Sequence, residues 1–254
     1  NTKKEKYIVG GVGNVVANIS SLGASAEIIT STGKDIEGSI INQLIGDLKN
    51  TKAKIFVDRN KISTTKERYV SGSQHLLRVD RESKRNIDKK LENRILNYFA
   101  KKINSYDAVV LSDYGKGLLT KNLTKKIIAN TRKNNIPVII DPNGRDYTKY
   151  AGCTVITPNK LELSFAANMS CQNDLEINKA ARKIKTENNI DYILVTRSEE
   201  GMTLFESSRK ITNLKSEAKE IYDVSGAGDT VVAVLAISLG AGSDIISAAK
   251  ISNF

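Results

Sequence analysis

Short apolar segments alternate with longer amphipathic segments along most of this chain, and the alternation restricts the folds that it can adopt. The apolar segments predict strands at residues 26–30, 54–57, 108–111, 138–140, 154–157 and 192–195. The longer segments predict helices at residues 12–22, 35–49, 88–102, 120–134 and 174–187, and another begins near residue 159. Strands that alternate with helices are typical of βαβ units around a parallel sheet. We therefore predict an α/β fold, and a length of 254 residues suits a single domain.

Residues 62–80 interrupt this alternation. Two stretches of alternating polarity flank residues 71–73, as in a β-hairpin, and no helical crossover adjoins them. We expect the hairpin to project from the sheet as a small lid, joined by a short exposed strand within residues 1–9. Arg68 and Arg78 would lie close together across the hairpin, either as ligand contacts or as solvated edge-strand charge. Residues 202–205 and 210–213 predict a further antiparallel pair at the sheet edge.

The charge balance suits anionic partners. The chain has 39 Lys and Arg residues against 28 Asp and Glu residues, a net charge of +11. Such a balance fits phosphorylated metabolites, nucleotides or nucleic acid, but it also describes an ordinary lysine-rich surface. The basic residues are dispersed, aromatic residues make up 6%, and no nucleic-acid-binding motif occurs. Nucleic acid is therefore not expected as a partner.

Residue counts disfavour several other classes of site. His75 is the single histidine, and Cys153 and Cys171 belong to no zinc-binding or disulfide pattern. No apolar run reaches a membrane-spanning length, and no signal peptide is recognisable. We predict a cytoplasmic protein that does not bind membranes.

A glycine-rich turn at residues 223–230, with the sequence DVSGAGDT, precedes an apolar run at residues 231–237. The run predicts a helix whose N-terminus attracts anions, and Gly226 and Gly228 allow a ligand to approach the backbone closely. Asp229 would then lie beside a phosphoryl group as a base, or it would only cap the helix. We favour the base because two glycines flank this turn, because Asp223 precedes it, and because a similar turn lies near the start of the chain.

That second turn contains Gly10, Gly11 and Gly13 and opens the predicted helix at residues 12–22. Asn14, in the first turn of this helix, could hold a sugar hydroxyl or form a local backbone hydrogen bond. The chain contains no glycine-rich P-loop ending in Lys-Ser or Lys-Thr, which disfavours a P-loop NTPase.

Polar loops follow three predicted strands at their carboxyl ends, where ligands bind in open α/β sheets. The loop at residues 112–117 contains Asp113 and Lys116, and Asp141 follows the next strand. Asn159 and Glu162 share one face of the helix that begins after residue 157. These two residues could equally form a capping box that satisfies the helix N-terminus.

Taken together, these motifs resemble the ribokinase-like (PfkB) family of sugar kinases. Residues 10–14, with Gly23 and Gly33, are similar to the first family signature, and residues 223–230 are similar to the second. Residues 111–117, 141–159 and 195–202 more specifically resemble the kinase domains that phosphorylate D-glycero-D-manno-heptose 7-phosphate at O1 in bacterial ADP-heptose synthesis. The resemblance spans nearly the whole chain. It implies a three-layer α/β/α sandwich with a mainly parallel sheet and a small β lid, and a transferase that uses ATP and Mg²⁺.

The resemblance also implies roles for individual residues. Asp229 would be the catalytic base, and Gly226, Ala227 and Gly228 would form the anion hole. Residues on the nucleotide side would be Asn159, Lys160, Leu161, Glu162, Thr196, Ser198, Glu199 and Gly201. Glu162 would act on magnesium through a bound water. Contacts to the sugar phosphate would come from Gly10, Gly11, Asn14, Arg68, Arg78, Asp113, Lys116 and Asp141.

The chain departs from the family pattern in three places. It lacks the first strand of the family before Asn1, it ends at Phe254 before the helices that complete the adenine pocket, and Asn143 stands where relatives often have Lys. We therefore expect the full polypeptide to continue beyond both ends. The resemblance further implies a homodimer formed through the lid and an adenylyltransferase domain that is fused to the kinase or works with it. A ribokinase-like kinase of another sugar, sugar phosphate or nucleoside is the alternative, followed by a nucleic-acid-binding protein.

Overall fold

The computed structural model of this chain describes residues 5–71, 74–207, 210–216 and 226–253. The helices in these ranges are α1 (Val12–Ser21), α2 (Ile36–Gly46), α3 (Lys89–Lys102), α4 (Lys121–Lys133), α5 (Lys160–Ala167), α6 (Asp174–Glu187), α7 (Ala227–Gly240) and α8 (Ile245–Ile251). The strands are β1 (Ala26–Thr32), β2 (Thr51–Val57), β3 (Thr65–Ser71), β4 (Gln74–Arg81), β5 (Val109–Ser112), β6 (Val138–Asp141), β7 (Val155–Ile156), β8 (Tyr192–Thr196), β9 (Met202–Phe205) and β10 (Ile211–Leu214). The chain divides into two compact units. One comprises Asn1–Ile95 with Lys116–Leu118, and the other comprises Leu96–Gly115 with Leu119–Phe254.

The first unit contains a parallel pair of strands, β1 and β2, with seven residues in register. Val16 of α1, Ile28 of β1 and Ile45 of α2 are buried together and form its apolar core. Asp35 begins α2 by accepting a hydrogen bond from the backbone N–H of Gly38 (2.8 Å). The Asp35 carboxylate also accepts bonds from the backbone and hydroxyl of Ser63 (2.7 and 2.6 Å), and so ties the helix start to a second loop.

The predicted hairpin is present in the first unit as the antiparallel pair β3 and β4, with Arg68 directly opposite Arg78. Most of its side chains are exposed. The prediction of a lid strand within residues 1–9 is wrong for residues 5–9, which form no strand. The alternating polarity of residues 65–81 is a two-residue repeat that a hairpin can pair internally, whereas the short segment before Gly10 has no neighbouring strand in the described part of the chain.

The second unit is built on a six-stranded sheet in the order β10-β9-β8-β7-β6-β5. Strands β5 to β8 are parallel, and β9 and β10 add an antiparallel edge, as predicted from residues 202–205 and 210–213. Val138, Ile139 and Ile140 of β6 are fully buried. Such uninterrupted apolar strands are typical of a parallel sheet that is covered on both faces. The predicted α/β fold with a mainly parallel sheet is confirmed.

Three helices of the second unit end with an asparagine in the left-handed conformation. Asn135, Asn168 and Asn189 have φ angles of 55°, 51° and 48°. In each case the following residue donates its backbone N–H to the carbonyl five positions earlier, which is the Schellman arrangement. The pairs are Ile136 to Thr131 (3.0 Å), Met169 to Ser164 (3.1 Å) and Ile190 to Lys185 (3.1 Å). Asparagine adopts this conformation more readily than most other residues, which explains its use in place of glycine.

Helix α8 was not predicted from the sequence. It has only seven residues and begins where Asp244 accepts hydrogen bonds from the backbone N–H groups of Ile246 and Ser247. So short an element carries little periodic signal. Within the described residues, no helix combines the length and the apolar character that crossing a membrane requires.

Candidate active site

The carboxyl ends of the parallel strands in the second unit carry a cluster of acidic residues. Ser112 ends β5 and donates a hydrogen bond to Oδ2 of Asp141, which ends β6 (3.1 Å). Burial, together with the smaller effect of the nearby charges of Glu162, Asp229 and Asp113, raises the pKa of Asp141 to about 7. Several acidic groups are therefore concentrated at this edge of the sheet, as they are at sites that bind a cation or transfer a proton.

Helix α7 begins beside this cluster. Its N-cap is Gly226, with φ 89°, a conformation that favours glycine. Ala227 and Gly228 are exposed, and Asp229 is half-buried in the first helical turn. The helix predicted after the glycine-rich turn is confirmed, whereas Asp223 lies outside the described residues. An α-helix leaves its first N–H groups without intrahelical partners, so this start offers donors to an anion.

Gly228 borders open space. Apart from the adjoining residues and the backbone of α7 itself, no atom of the described residues lies within 4 Å of the position that a Cβ would take there. Packing among the described residues therefore does not require glycine at this position, and its φ angle is not in the left-handed range. A glycine that the fold does not need, at the N-terminus of a helix, leaves room for a ligand to reach the backbone.

Tyr114 contacts the candidate base directly. Its hydroxyl donates a hydrogen bond to Oδ1 of Asp229 (3.0 Å). Tyr114 is half-buried, and burial together with the charge of Asp229 raises the pKa of its hydroxyl, so that it stays protonated and donates. Sequence reasoning missed this residue. Its place in the polar loop after β5 was the available signal, but nothing in the spacing connects it to a residue 115 positions away.

Asp113 is bound by groups of the protein itself. Its Oδ1 accepts the backbone N–H of Gly115 (2.8 Å), and its Oδ2 accepts the hydroxyl of Tyr150 (2.7 Å) and forms an ion pair with Lys149. The Asp113 side chain is only 4% exposed. These bonds fix the loop that follows β5. Asp113 was predicted to contact substrate, and in this structure both of its oxygens already accept hydrogen bonds.

Asn159 and Glu162 form the capping box that was the alternative for this pair. The side chain of Asn159 accepts from the backbone N–H of Glu162, and Oε2 of Glu162 accepts from the backbone N–H of Asn159 (both 2.9 Å). Burial raises the pKa of Glu162. Capping orients both side chains at the start of α5, where Asn159 also bridges to Thr196 at the end of β8.

The loop after β8 contains the other residues predicted on the nucleotide side. Ser198 and Glu199 lie in a single 3₁₀ turn that ends before Gly201. Gly201 has φ 83°, and a Cβ there would come within 2.1 Å of the carbonyl oxygen of Leu214. The fold itself therefore explains this glycine.

The first residues of α5 adjoin this loop. Lys160 forms an ion pair with Glu200 (2.6 Å), and Leu161 is exposed. Arg197 was not predicted and pairs with Glu200 and with Asp174 (2.6 Å to Asp174). Arg197, Glu200 and Asp174 therefore lie beside the residues predicted to bind the nucleotide, although none of the three was predicted as a site residue.

The remaining predicted sugar contacts belong to the first unit. Gly11 is the N-cap of α1 with φ 59°, Gly10 precedes it, and Asn14 lies half-buried in the first turn. Arg78 forms two hydrogen bonds with Asp80 (2.8 and 2.6 Å).

Two further candidates in this unit are basic residues. Arg68 faces Arg78 across the hairpin. Lys116 forms an ion pair with Glu82, and its backbone carbonyl accepts from the Lys61 ammonium group. The contact that lowers the pKa of Glu82 most is this hydrogen bond from Lys116.

The arrangement in the second unit combines a carboxylate, a helix N-terminus and an acidic strand edge, as phosphoryl transfer requires. A family model described as pfkB family carbohydrate kinase matches residues 1–253. The chain belongs to the pfkB family. The predicted class of enzyme, an ATP-dependent carbohydrate kinase, is thereby confirmed.

Curated relatives of this pfkB-family chain are bifunctional proteins. The bifunctional protein HldE of Rhodospirillum rubrum is 41% identical over 251 residues, which are 99% of this chain and 51% of that protein. The bifunctional protein HldE of Sulfurimonas denitrificans is 40% identical over 250 residues, 98% of this chain and 52% of that protein. The chain spans about half the length of the curated relatives it matches.

Solved structures confirm the ribokinase-like fold of this pfkB-family chain. Ribokinase of Arabidopsis thaliana, complexed with ribose and ATP, superposes with a TM-score of 0.74 at 19% identity, over 99% of this chain and 81% of that chain. Phosphofructokinase-2 of Escherichia coli, in complex with fructose-6-phosphate, superposes with a TM-score of 0.77 at 17% identity. The superposition covers 100% of this chain and 85% of that chain. At identities this low, the superpositions show a shared fold and do not show a shared substrate.

The acidic strand edge fits a magnesium-nucleotide complex. Magnesium takes oxygen ligands and keeps several waters, and it is usually bound through one or two carboxylates together with phosphates. Burial is the main cause of the raised pKa of Asp141, and the neighbouring carboxylates add to it; a divalent cation bound nearby would favour the charged form of this carboxyl. In the described ranges no group of three or more His, Cys, Asp or Glu side chains is arranged to hold a metal ion.

Proposed function

We propose that this chain transfers the γ-phosphoryl group of ATP to O1 of D-glycero-D-manno-heptose 7-phosphate. The products are the 1,7-bisphosphate and ADP, and the reaction is a step of ADP-heptose synthesis for lipopolysaccharide or other surface glycans. The observation that carries the chemistry is the placement of Asp229 in the first turn of α7, beside the open space at Gly228. The choice of heptose is supported by the motifs at residues 111–117, 141–159 and 195–202 and by the identity to the HldE proteins.

In this proposal Asp229 accepts the proton of the O1 hydroxyl as that oxygen attacks the γ-phosphorus. The new O–P bond forms while the bond between the γ-phosphorus and the β,γ-bridging oxygen breaks, and ADP leaves with that oxygen. The N–H groups at Gly226, Ala227 and Gly228 stabilise the charge on the transferring phosphoryl oxygens. A general base of this kind contributes about 10²–10⁴-fold to the rate.

The nucleotide is assigned to the starts of α5 and of the turn after β8. Asn159 and Glu162 are held by their reciprocal hydrogen bonds, and Thr196 is adjacent to Asn159. Glu162 would orient a water of the magnesium ion, which when bound neutralises phosphate charge. The other residues on this side remain Lys160, Leu161, Ser198, Glu199 and Gly201.

The sugar phosphate of the substrate needs cationic partners, and Arg68, Arg78 and Lys116 remain the candidates. Arg78 and Lys116 already pair with Asp80 and Glu82, so a phosphate would have to share or replace those partners. Gly10, Gly11, Asn14 and Asp141 are assigned to the sugar itself.

The assembly of the protein is also a proposal. We infer a homodimer formed through the hairpin, because its apolar side chains Tyr69, Val70, Leu76 and Leu77 are 44–62% exposed. Soluble proteins seldom leave so many apolar side chains of one small element in water. The bifunctional relatives support an adenylyltransferase domain that is fused to this kinase or works with it, and both activities are expected in the cytoplasm.

The decisive experiment is ADP release in the presence of ATP and Mg²⁺ with a panel of acceptors. The panel contains heptose 7-phosphate, unphosphorylated heptose, fructose 6-phosphate, ribose and a nucleoside. We expect heptose 7-phosphate to give the highest kcat/KM by a wide margin. Higher kcat/KM for another acceptor would assign the chain to a different sugar kinase of the same family.

A further inference from the structure

Tyr114 touches the carboxylate to which the proposed function assigns the proton transfer. Its hydroxyl lies 3.0 Å from Oδ1 of Asp229, so the contact joins the loop after β5 to the first turn of α7. We propose that Tyr114 is a positioning residue, which holds the Asp229 carboxylate in the orientation that deprotonates the acceptor hydroxyl. This inference rests on the proposed function and adds a residue to it.

The residue that precedes Tyr114 is held in place by several contacts. This residue, Asp113, is buried and bound to the N–H of Gly115, the hydroxyl of Tyr150 and the ammonium group of Lys149. The Tyr150 ring is itself fully buried. Precise placement of a reacting group requires supporting side chains that are themselves locked by packing and hydrogen bonds. The Asp113 network supplies that support for the Tyr114 ring.

The chemistry of the contact suits orientation of a base. Burial keeps the Tyr114 hydroxyl protonated, so it is a permanent donor. A hydrogen bond to a charged acceptor is stronger than one between neutral groups. A carboxylate has two oxygens with about four lone-pair sites, so it can accept the tyrosine hydrogen bond and a substrate proton together.

The competing explanation is that the same hydrogen bond only fastens the start of α7 to the loop after β5. The two roles predict different losses. A fastening bond contributes to stability and leaves the chemical step unaffected in the molecules that are folded. A positioning bond affects kcat and its dependence on pH while KM for either substrate changes little.

The test compares Tyr114→Phe with the matched variant Tyr192→Phe. Tyr192 starts β8, at the opposite end of that strand from Thr196. For both variants kcat, the two KM values, the Tm and the pH dependence of kcat are measured. We expect Tyr114→Phe to lower kcat by about 10- to 100-fold, the loss that follows from removing one hydrogen bond to a charged group. Each KM should stay within about threefold of the wild-type value, because a loss confined to kcat indicates that the substitution affects the chemical step and not substrate binding.

The pH dependence separates positioning from fastening. Without the donor the Asp229 carboxylate loses stabilisation of its charged form, so the acidic limb of the kcat profile should move to higher pH in Tyr114→Phe. Asp141 interacts electrostatically with both Tyr114 and Asp229, and Asp113 and Glu162 interact with Asp141; all three carboxyls are present in both variants. A kcat and a profile equal to those of Tyr192→Phe would overturn the inference, whatever happens to the Tm.

A second substitution covers the case in which Tyr114→Phe does not fold. Site-specific 3-fluorotyrosine at position 114 keeps the ring and the hydroxyl and makes the hydroxyl a stronger donor. The acidic limb should then move to lower pH, and no movement would overturn the inference. If the wild-type chain phosphorylates no acceptor of the panel, the proposed function fails and this inference fails with it. An active wild type beside an unaffected Tyr114→Phe variant removes only the role of Tyr114.

Discussion

Ser112 and Asp141 are register partners at the ends of β5 and β6, and the Ser112 hydroxyl donates to Oδ2 of Asp141 (3.1 Å). This single hydrogen bond does not offset burial and the surrounding negative charge, because the pKa of Asp141 is still raised to about 7. The carboxyl group is therefore close to half-protonated at neutral pH in the absence of a cation. The charge of this carboxyl group therefore changes with pH around neutrality.

The first prediction concerns stability against pH. A carboxyl whose pKa is raised on folding stabilises the protein in its protonated form, and that stabilisation is lost as the pH rises from about 4 to about 7. In EDTA we expect the Tm of the wild type to fall more steeply over this window than the Tm of Asp141→Asn, which keeps an acceptor for Ser112 but has no charge. Parallel Tm curves for the two proteins in differential scanning fluorimetry would contradict the pKa given for Asp141.

The second prediction concerns the base. Asp229→Asn keeps the size of the side chain but cannot take the hydroxyl proton. We expect kcat to fall by about 10²–10⁴-fold while the Kd for ATP, measured by calorimetry, stays within about threefold. Retention of more than about a tenth of the wild-type kcat would leave Asp229 as a helix cap and would remove it from the mechanism.

The third prediction concerns Gly228. Beyond the adjoining residues and the backbone of α7, the methyl group of an alanine here would meet no atom of the described residues. Alanine is also a better helix former, so Gly228→Ala should raise the free energy of unfolding by up to about 1 kcal/mol or leave it unchanged. The added methyl group would occupy the space proposed for the phosphoryl group, so kcat/KM should fall by about tenfold or more.

Gly46→Ala is the matched control for this variant. Gly46 is also an exposed helical glycine with open space around its Cβ position, but it lies in α2 of the first unit. It should show the same stability effect and unchanged kinetics. If Gly228→Ala behaves as Gly46→Ala does, the open space beside α7 is not a phosphoryl site.

The fourth prediction concerns the buried pair of Asp113 and Lys149, whose side chains are 4% and 19% exposed. Lys149→Met leaves the Asp113 carboxylate buried without its cation, which should lower the free energy of unfolding by about 3–5 kcal/mol. The double variant Asp113→Asn, Lys149→Met removes both charges and should recover part of that loss. Urea denaturation of the two proteins measures the difference, and equal midpoints would show that the charge of Asp113 is not the cause.

The fifth prediction concerns assembly through the hairpin. Leu77, directly opposite Tyr69, is 57% exposed, and a lysine there should prevent an apolar contact between two copies. We expect Leu77→Lys to change a dimer into a monomer in analytical ultracentrifugation. Leu175→Lys, at a leucine of α6 that is 64% exposed, should leave the mass unchanged. A wild type that is monomeric at micromolar concentration would remove the proposed dimer.

Much of the fold was predictable because its elements carry local signals. Helix α6 was predicted with both of its observed ends, since Asn173 caps its start and Asn188 and Asn189 end it. The hairpin was predicted from the alternating polarity of two stretches around residues 71–73, and the antiparallel edge was predicted at residues 202–205 and 210–213. Helix α8 was missed because seven residues contain too few turns to show a period.

The site was less predictable because its key contacts are distant in sequence. The position of Asp229 at a helix start follows from the glycines around it, but its bond to Tyr114 depends on how β5 and α7 pack in the folded chain. Likewise, the loop sequence makes Asp113 a candidate ligand, and only the fold brings Lys149 and Tyr150 onto its oxygens. Periodicity describes single elements and contains no information on which side chains meet at their ends.

The three left-handed asparagines at the ends of α4, α5 and α6 also affect the unfolded chain. A glycine at Asn135, Asn168 or Asn189 would fit the folded backbone with less strain, but it would give the unfolded chain more conformations to lose. The asparagines therefore combine a small strain in the native state with a lower entropy of the denatured ensemble. Part of the stability of this domain thus resides in the conformations that its unfolded chain does not adopt.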